Sequence, residues 1–300
     1  MKTCIIIAGP TAIGKTALAI DVAQHFSSDI ISADSRQCYK ELNIAVAKPS
    51  AEELAAVHHY FINSHHIQDN LSAADFEKYA LDAAEKIFLK NDIAVMTGGT
   101  GLYIKAFMHG LDDIPIIDEK IKDAIIKKYN ENGIEWLQQE IEKQDPDFFA
   151  NGEIKNPHRL IRALEVKSAT GKSITEYQSK QKKVRPFNII PICLQMPRPL
   201  IYERINNRVD AMVENGLIEE AKELFPYKNL NALQTVGYRE LFDHFEGKIT
   251  LEESISLIKQ NTRHYAKRQE TWFKKEEGMH FCTPSLNDIL SIVNNSGIKI

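Results

Sequence analysis

The apolar run Cys4–Ala8 is followed at once by Gly9-Pro10-Thr11-Ala12-Ile13-Gly14-Lys15-Thr16. The second segment fits the pattern G-x-x-x-x-G-K-[ST], and its placement constrains the fold more than the pattern does. A short continuous apolar run reads as a buried strand, and Thr16–Ala23 reads as the helix that follows. A strand, a glycine turn and a helix N-terminus bring backbone N–H groups and partial positive charge to one point, where Lys15 adds a full charge. Such a loop holds a di- or triphosphate. Read alone it suggests ATP or GTP.

The segments downstream alternate. Asp29–Ala33 reads as a strand ending at Asp34-Ser35, Ser50–Val57 as a helix, and Tyr60-Phe61-Ile62 as an apolar stretch. Ser72-Ala73-Ala74-Asp75 has the form of a capping box for a helix to about Leu89. Ile93–Thr97 is a further buried strand, closed by Gly98-Gly99. This alternation predicts an α/β fold, a doubly wound parallel sheet of the phosphate-loop type, with ligands at the strands' C-terminal ends. From Asp118 to about Lys183 the period is helical, with breaks at Gly133, Asp145-Pro146, Asn156-Pro157 and Gly171. Strand character returns at Asn188–Leu194, a long helical stretch begins with Pro197–Asn215, and Met279–Cys282 is the last strand expected. The organisation expected is a core of residues 1–115 and 184–300, with a helical C-terminal part, interrupted by a helical insertion over 116–183.

With 43% hydrophobic residues among 300, the chain can bury a large core. Its four cysteines (Cys4, Cys38, Cys193, Cys282) are far apart, which disfavours a disulfide framework or a zinc site and suits a reducing cytosol. Five apolar residues before the Gly-Pro turn are fewer than the roughly 7 to 15 of a signal peptide. No apolar run approaches the ~18 residues of a membrane span. A cytoplasmic protein with no membrane partner, and a monomer, is expected.

Enzymes with such loops usually carry a carboxylate at a neighbouring strand end, to hold Mg²⁺ or accept a proton. The strand Ile93–Thr97 ends in Thr97-Gly98-Gly99-Thr100 without one, so the available carboxylate is Asp34. It either faces the phosphates held by Lys15 or caps the next turn with Ser35. Gly98–Tyr103 is a second glycine-rich turn, read as a tight turn with a threonine cap or as a place where a flat ligand nears the backbone.

Net charge is −4, but it is unevenly spread. Lys155–Arg185 holds nine basic side chains against two acidic, a local charge of +7; Lys259–Lys275 holds six against one, or +5, interleaved with Tyr265, Trp272 and Phe273. Either run alone reads as a solvated face. Together, with aromatics able to stack on splayed bases, they point to RNA. The pairs His58-His59 and His65-His66 suggest a metal, yet adjacent residues on an extended segment face opposite ways and no carboxylate or cysteine completes a set.

Taken in order, these motifs resemble the bacterial tRNA dimethylallyltransferases, the isopentenyl-diphosphate:tRNA transferase family. The resemblance spans roughly residues 1–283. It is carried by Gly9–Thr16, Asp34–Gln37, Ala47-Lys48-Pro49, Ser72–Phe76 and Gly98–Tyr103, and then by His158–Glu165, Arg204-Ile205, Arg208-Val209-Asp210, Val236–Glu240, Ala266–Gln269 and Thr271-Trp272-Phe273. One departure is Asn63, where many members have Asp.

The resemblance implies transfer of a dimethylallyl group from dimethylallyl diphosphate to the exocyclic N6 amine of the adenosine at tRNA position 37, beside the anticodon. It implies that Asp34 is the base, that Lys15, Thr100 and Arg208 act with it, and that Gly9, Pro10, Thr11, Ala12, Ile13, Gly14, Lys15 and Thr16 seat the diphosphate, with Thr16 on Mg²⁺. Thr100 would orient the amine. The anticodon stem-loop would be held by Asp34, Ser35, Arg36, Gln37, Thr100, Lys122, His158, Arg159, Leu160, Ile161, Arg162, Gln234, Gly237, Tyr238, Arg239, Lys267, Arg268, Gln269, Trp272 and Lys274. An adenylate (AMP or ATP) dimethylallyltransferase and a small-molecule kinase are the alternatives; neither explains both basic runs.

Overall fold

The computed structural model describes residues 1–178 and 181–297, so that Lys180 of the first basic run lies outside the described residues. The chain forms two compact units, Met1–His109 with Val184–Ile300, and Gly110–Lys183.

In the first unit, β1 (Thr3–Ala8), α1 (Lys15–His25), β2 (Ile30–Ser32), α2 (Ala51–Ala56), β3 (His59–Tyr60), α3 (Ala73–Phe88), β4 (Ile93–Gly98) and α4 (Gly101–His109) follow in order. The sheet has six strands in the order β3-β2-β4-β1-β5-β6, where β5 is Asn188–Leu194 and β6 His280–Cys282, and every pair is parallel. Successive side chains of β1 serve opposite faces. Cys4, Ile6 and Ala8 join a core with Phe76, Phe107 and Leu241, whereas Ile5 and Ile7 join a second core with Ile20, Ile205 and Ile289. Both faces are therefore buried, which is why these strands read as continuous apolar runs. Ser72 and Asp75 form the expected capping box of α3.

Strand register places the site. Ala8 pairs with Gly98, and Ser32 with Thr97. The ends of β1, β4 and β2 therefore lie side by side, with the phosphate loop, the glycine turn and Asp34 emerging together. Gly98 is required there: a Cβ would stand 2.2 Å from the Ala33 carbonyl oxygen.

After β5 the unit is helical: α8 (Arg198–Glu214), α9 (Leu217–Leu224), α10 (Tyr238–Phe245), α11 (Leu251–Lys274) and, beyond β6, α12 (Leu286–Asn295). The last of these is not signalled by the sequence reading. The second unit contains α5 (Glu119–Gln144), α6 (Pro146–Asn151) and α7 (Pro157–Thr170), with no strand among its described residues. Gly133, expected to end a helix, instead kinks α5 at a φ of 76° and helix resumes beyond it. Asn156 caps α7 through its side chain and Gly171 ends it in the left-handed region, at φ 73°. Leu137, Ile141, Leu160, Ala163 and Leu164 form this unit's own core.

The Gly98 contact is with backbone, which cannot swing aside. Gly98→Ala is expected to cost about 1–3 kcal/mol, lowering Tm by about 2–4 °C per kcal/mol in a chain of this size. Calorimetry checks this, and an unchanged Tm contradicts the close approach.

Candidate active site

Three residues of the phosphate loop adopt positive φ: Gly9 (148°), Ala12 (64°) and Gly14 (100°). The loop thereby folds over the start of α1, whose N-cap Gly14 offers no side-chain cap, leaving the first helical N–H groups for an anion. Lys15 Nζ donates to the Pro10 carbonyl at 2.8 Å, inside the loop's own curve. Ile13 is fully buried, so its side chain belongs to the core, and only its backbone can serve a ligand.

Two distant helices hold this loop. From α8, Arg204 donates to the Ile13 carbonyl (3.2 Å) and Arg208 to the Thr11 hydroxyl (3.4 Å). From α11, Gln269 Oε1 accepts from the Thr11 N–H, while its Nε2 donates to the Gly99 carbonyl, both at 2.9 Å. Gln269 is 5% exposed and engaged at both ends, so it clamps the two loops and does not contact RNA as expected. Gly99 must lack a side chain for this, because a Cβ would lie 2.2 Å from Gln269 Nε2. Trp272, one turn on, packs its ring where a Gly101 Cβ would fall, 2.3 Å away.

Asp34 caps the next turn and also borders the cavity of the phosphate loop. Its Oδ1 accepts from the N–H groups of Arg36 (2.9 Å) and Gln37 (3.3 Å), which is a turn cap. No hydrogen bond from the described residues reaches Oδ2, which is free for chemistry. Thr100 Oγ1 accepts from the Ser35 N–H at 3.1 Å and lies 3.4 Å from Ser35 Oγ. Thr100 thus holds the Asp34-Ser35 turn and also meets the side chain of Tyr265, a residue common to the two cavities described next.

Two cavities open on either side of Asp34. The first, about 220 Å³, is walled by Thr11, Gly14, Lys15, Thr16, Ser32, Gln37 and Gly99. The second, about 330 Å³, is walled by Ser35, Arg36, Met212, Gln234, Val236, Gly237, Arg239 and Arg268. Thr11, Asp34, Arg208, Val46, Ala47 and Tyr265 belong to both. The sequence named most of these, with Ala47 only as part of a matching block and Tyr265 only as an aromatic of the basic run, but not Val46 or Met212.

Other expected residues lie elsewhere. Lys267 and Lys274 are exposed on α11, the latter beside a separate pocket with Pro10 and Phe281. On the second unit, His158 and Arg159 are exposed, and Ile161 and Arg162 half-buried. Lys122 pairs with Glu119, Arg159 with Glu153 and Arg162 with Glu165. Leu160 and Tyr238 are 0% exposed, and their side chains are corrected from RNA contacts to core. Gly237 is buried against Ala45, where a Cβ would stand 3.1 Å from that residue's own. Each histidine of the two pairs has a local partner: His59 Nδ1 the Val57 carbonyl, His58 the Tyr60 ring, His65 Ser64, and His66 Glu41. His59 lines the first cavity, with Nε2 buried and unpartnered. Asn63 Oδ1 accepts from Lys48 Nζ, a contact that an Asp there would also make.

Two cations, Lys15 and Arg208, line the phosphate cavity. Burial, and then the neighbouring Arg208, lower the Lys15 pKa to about 8, with Asp34 opposing the shift. Burial also lowers Arg208, again against Asp34. Two partly desolvated cations and the N–H groups at the head of α1 favour an anion in this cavity, whose wall also carries the carboxylates Asp34 and Glu53.

The IPP transferase family model matches residues 37–276, most of the chain. The chain belongs to the IPP transferase family. The tRNA dimethylallyltransferase of Christiangramia forsetii is 53% identical over 91% of this chain and 90% of its own length. The tRNA dimethylallyltransferase 1 of Bacteroides thetaiotaomicron is 42% identical over 95% and 92%. Among solved structures, the full-length tRNA isopentenylpyrophosphate transferase of Bacillus halodurans superposes with a TM-score of 0.71 at 35% identity, covering 98% of this chain and 95% of that one. A eukaryotic dimethylallyltransferase seen in crystallographic snapshots acting on tRNA gives 0.81 at 27%, over 100% and 81%.

For this IPP transferase family member, the lowered Lys15 pKa has a consequence for anion binding. In the free protein Lys15 is charged below pH 8 and loses its charge above it. Affinity for inorganic diphosphate, measured calorimetrically and taken relative to Lys15→Met so that the diphosphate's own titration cancels, is expected to hold steady below about pH 8 and then weaken, approaching tenfold per unit. Affinity that stays flat to pH 10 contradicts the assignment of Lys15 as the anion's cation.

Proposed function

We propose that this protein is a tRNA dimethylallyltransferase, which moves a dimethylallyl group from dimethylallyl diphosphate to N6 of the adenosine at tRNA position 37, next to the anticodon. The observation that carries this is the wall shared by the two cavities. Thr11, Asp34 and Arg208 border a phosphate loop on one side and, on the other, a chamber edged by Arg36, Arg239 and Arg268. One substrate enters each side, and they meet at the carboxylate. The relatives' activity on tRNA supports it.

Adenine's amine is a weak nucleophile, because its lone pair is delocalised into the ring. As N6 attacks C1 of the allyl group, the C1–O bond breaks and its electron pair leaves with the diphosphate. The N6 proton passes to Asp34 Oδ2, the oxygen left open by the turn cap. Lys15, Arg208 and the N–H groups at the head of α1 receive the charge growing on the leaving group. The base must leave the anticodon stack to enter the chamber, and Arg36, Gln234 and Arg239 border the space it fills.

Mg²⁺ fits the donors present. Thr16, Ser32 and Asp34 offer hard oxygens in the phosphate cavity, and Mg²⁺ takes one or two protein ligands beside substrate phosphates and water. Thr16 would hold the ion, whose charge would offset that of the diphosphate.

Exposed Lys267, Arg268 and Lys274 of the first unit, and Lys122, His158, Arg159 and Arg162 of the second, bind the stem-loop backbone. The protein acts as a cytoplasmic monomer. Among the described residues no helix is long and apolar enough to cross a membrane.

The test is incubation with dimethylallyl diphosphate, Mg²⁺ and unmodified tRNA, followed by digestion and detection of prenylated adenosine. Product from AMP in a parallel tube, and none from tRNA, overturns the choice of substrate. Asp34→Asn is expected to lower kcat by about 10²–10⁴-fold with tRNA affinity retained, and a near-normal rate removes Asp34 as the base. Arg159→Ala is expected to weaken tRNA binding and reduce its log–log salt slope by about one, read from titrations at several salt concentrations. An unchanged slope removes Arg159 from the interface.

A further inference from the structure

Glu220, on α9, lines neither cavity, yet its carboxylate collects four hydrogen bonds. Oε2 accepts from the N–H groups of Asn43 (3.0 Å) and Ile44 (2.8 Å). Oε1 accepts from the Ala45 N–H (3.0 Å) and the Tyr238 hydroxyl (2.7 Å). Three successive backbone N–H groups converging on one anion form a nest, here filled by the protein's own side chain. The loop so gathered leads straight to the site. Ala47 follows in the left-handed region, at φ 48°, and Val46 and Ala47 form part of the wall common to both cavities. Their carbonyls accept from Gln37 Nε2 at 3.2 and 3.0 Å. The Gln37 N–H in turn donates to Asp34 Oδ1. At the loop's far end, Lys48 Nζ donates to the Tyr39 carbonyl and to the side chains of Asn43 and Asn63.

We infer that Glu220 is a positioning residue for prenyl transfer. By fixing the N–H groups of residues 43–45 it sets the Val46 and Ala47 carbonyls, these orient Gln37, and the 34–37 turn then presents Asp34 Oδ2 to the amine. Val46 and Ala47 also wall the phosphate cavity, but among the described residues the Gly9–Thr16 loop itself makes no hydrogen bond to Glu220 or to residues 43–47, so the diphosphate keeps the groups that hold it. This rests on the assignment of Asp34 as proton acceptor, and two separate readouts keep the two claims distinct.

The first readout is hydrogen exchange of the 38–50 segment in Glu220→Gln. Glutamine keeps the shape but turns an amide nitrogen toward at least one N–H group, and protection at 43–45 is expected to fall about tenfold or more. Tyr238→Phe removes one donor of four and is expected to retain that protection, which covers the case in which Glu220→Gln folds poorly. The second readout is steady-state kinetics per folded molecule. Glu220→Gln is expected to lower kcat about tenfold or more, with KM for dimethylallyl diphosphate held within about twofold.

Unchanged exchange shows that Glu220 does not hold the loop and overturns the proposal. Lost protection with unchanged kcat per folded molecule makes Glu220 a merely structural anchor and overturns it equally. Wild-type protein that fails to prenylate tRNA counts against the function, and exchange still decides whether Glu220 holds the loop.

Discussion

The site depends on one buried amide. Gln269 accepts from the phosphate loop and donates to the glycine turn, and so fixes the spacing between the ends of β1 and β4. A buried amide left half-satisfied would be costly, so both loops are held to the positions that satisfy it. Gly98 and Gly99 make the arrangement possible by surrendering the space that side chains would occupy. With those loops set, Thr100 can hold Ser35, and the turn after β2 can project Asp34 between the two cavities. The proposed chemistry needs that projection. A carboxylate turned toward either cavity alone would meet one substrate and not the other.

Charge follows the same layout. Lys15 and Arg208 are desolvated beside the N–H groups of the phosphate loop, which favours an incoming anion although Asp34 and Glu53 share the cavity wall. Asp34 has divided its two oxygens between tasks, one capping its own turn and one left open. The capping and catalytic readings of that residue are therefore compatible, since each uses a different atom.

Much of the fold was legible because the signals were local. Continuous apolar runs marked β1, β4 and β5, and the Ser72–Asp75 box marked the start of α3. Strand order was not legible, nor were the ties between elements far apart in sequence. Gln269 meets Thr11 across 258 positions, and Glu220 meets the 43–45 loop across about 175, with no local pattern to announce either. The resemblance named the segments expected to meet RNA as blocks, but a helix shows only one side to solvent. Within those blocks Leu160 and Tyr238 are buried, while Arg159 and Arg239 beside them are exposed. Gln269 misled for a further reason: a polar residue in a basic run reads as surface, and only burial reveals a clamp.

The most direct measurement is a crystal structure of the protein with a tRNA anticodon stem-loop and an unreactive thiodiphosphate analogue of dimethylallyl diphosphate. The account predicts the flipped adenine with its N6 within hydrogen-bond distance of Asp34 Oδ2 and facing the allylic carbon, and the diphosphate over the Gly9–Thr16 loop. An adenine amine bound away from Asp34, or an analogue seated outside that loop, would contradict it.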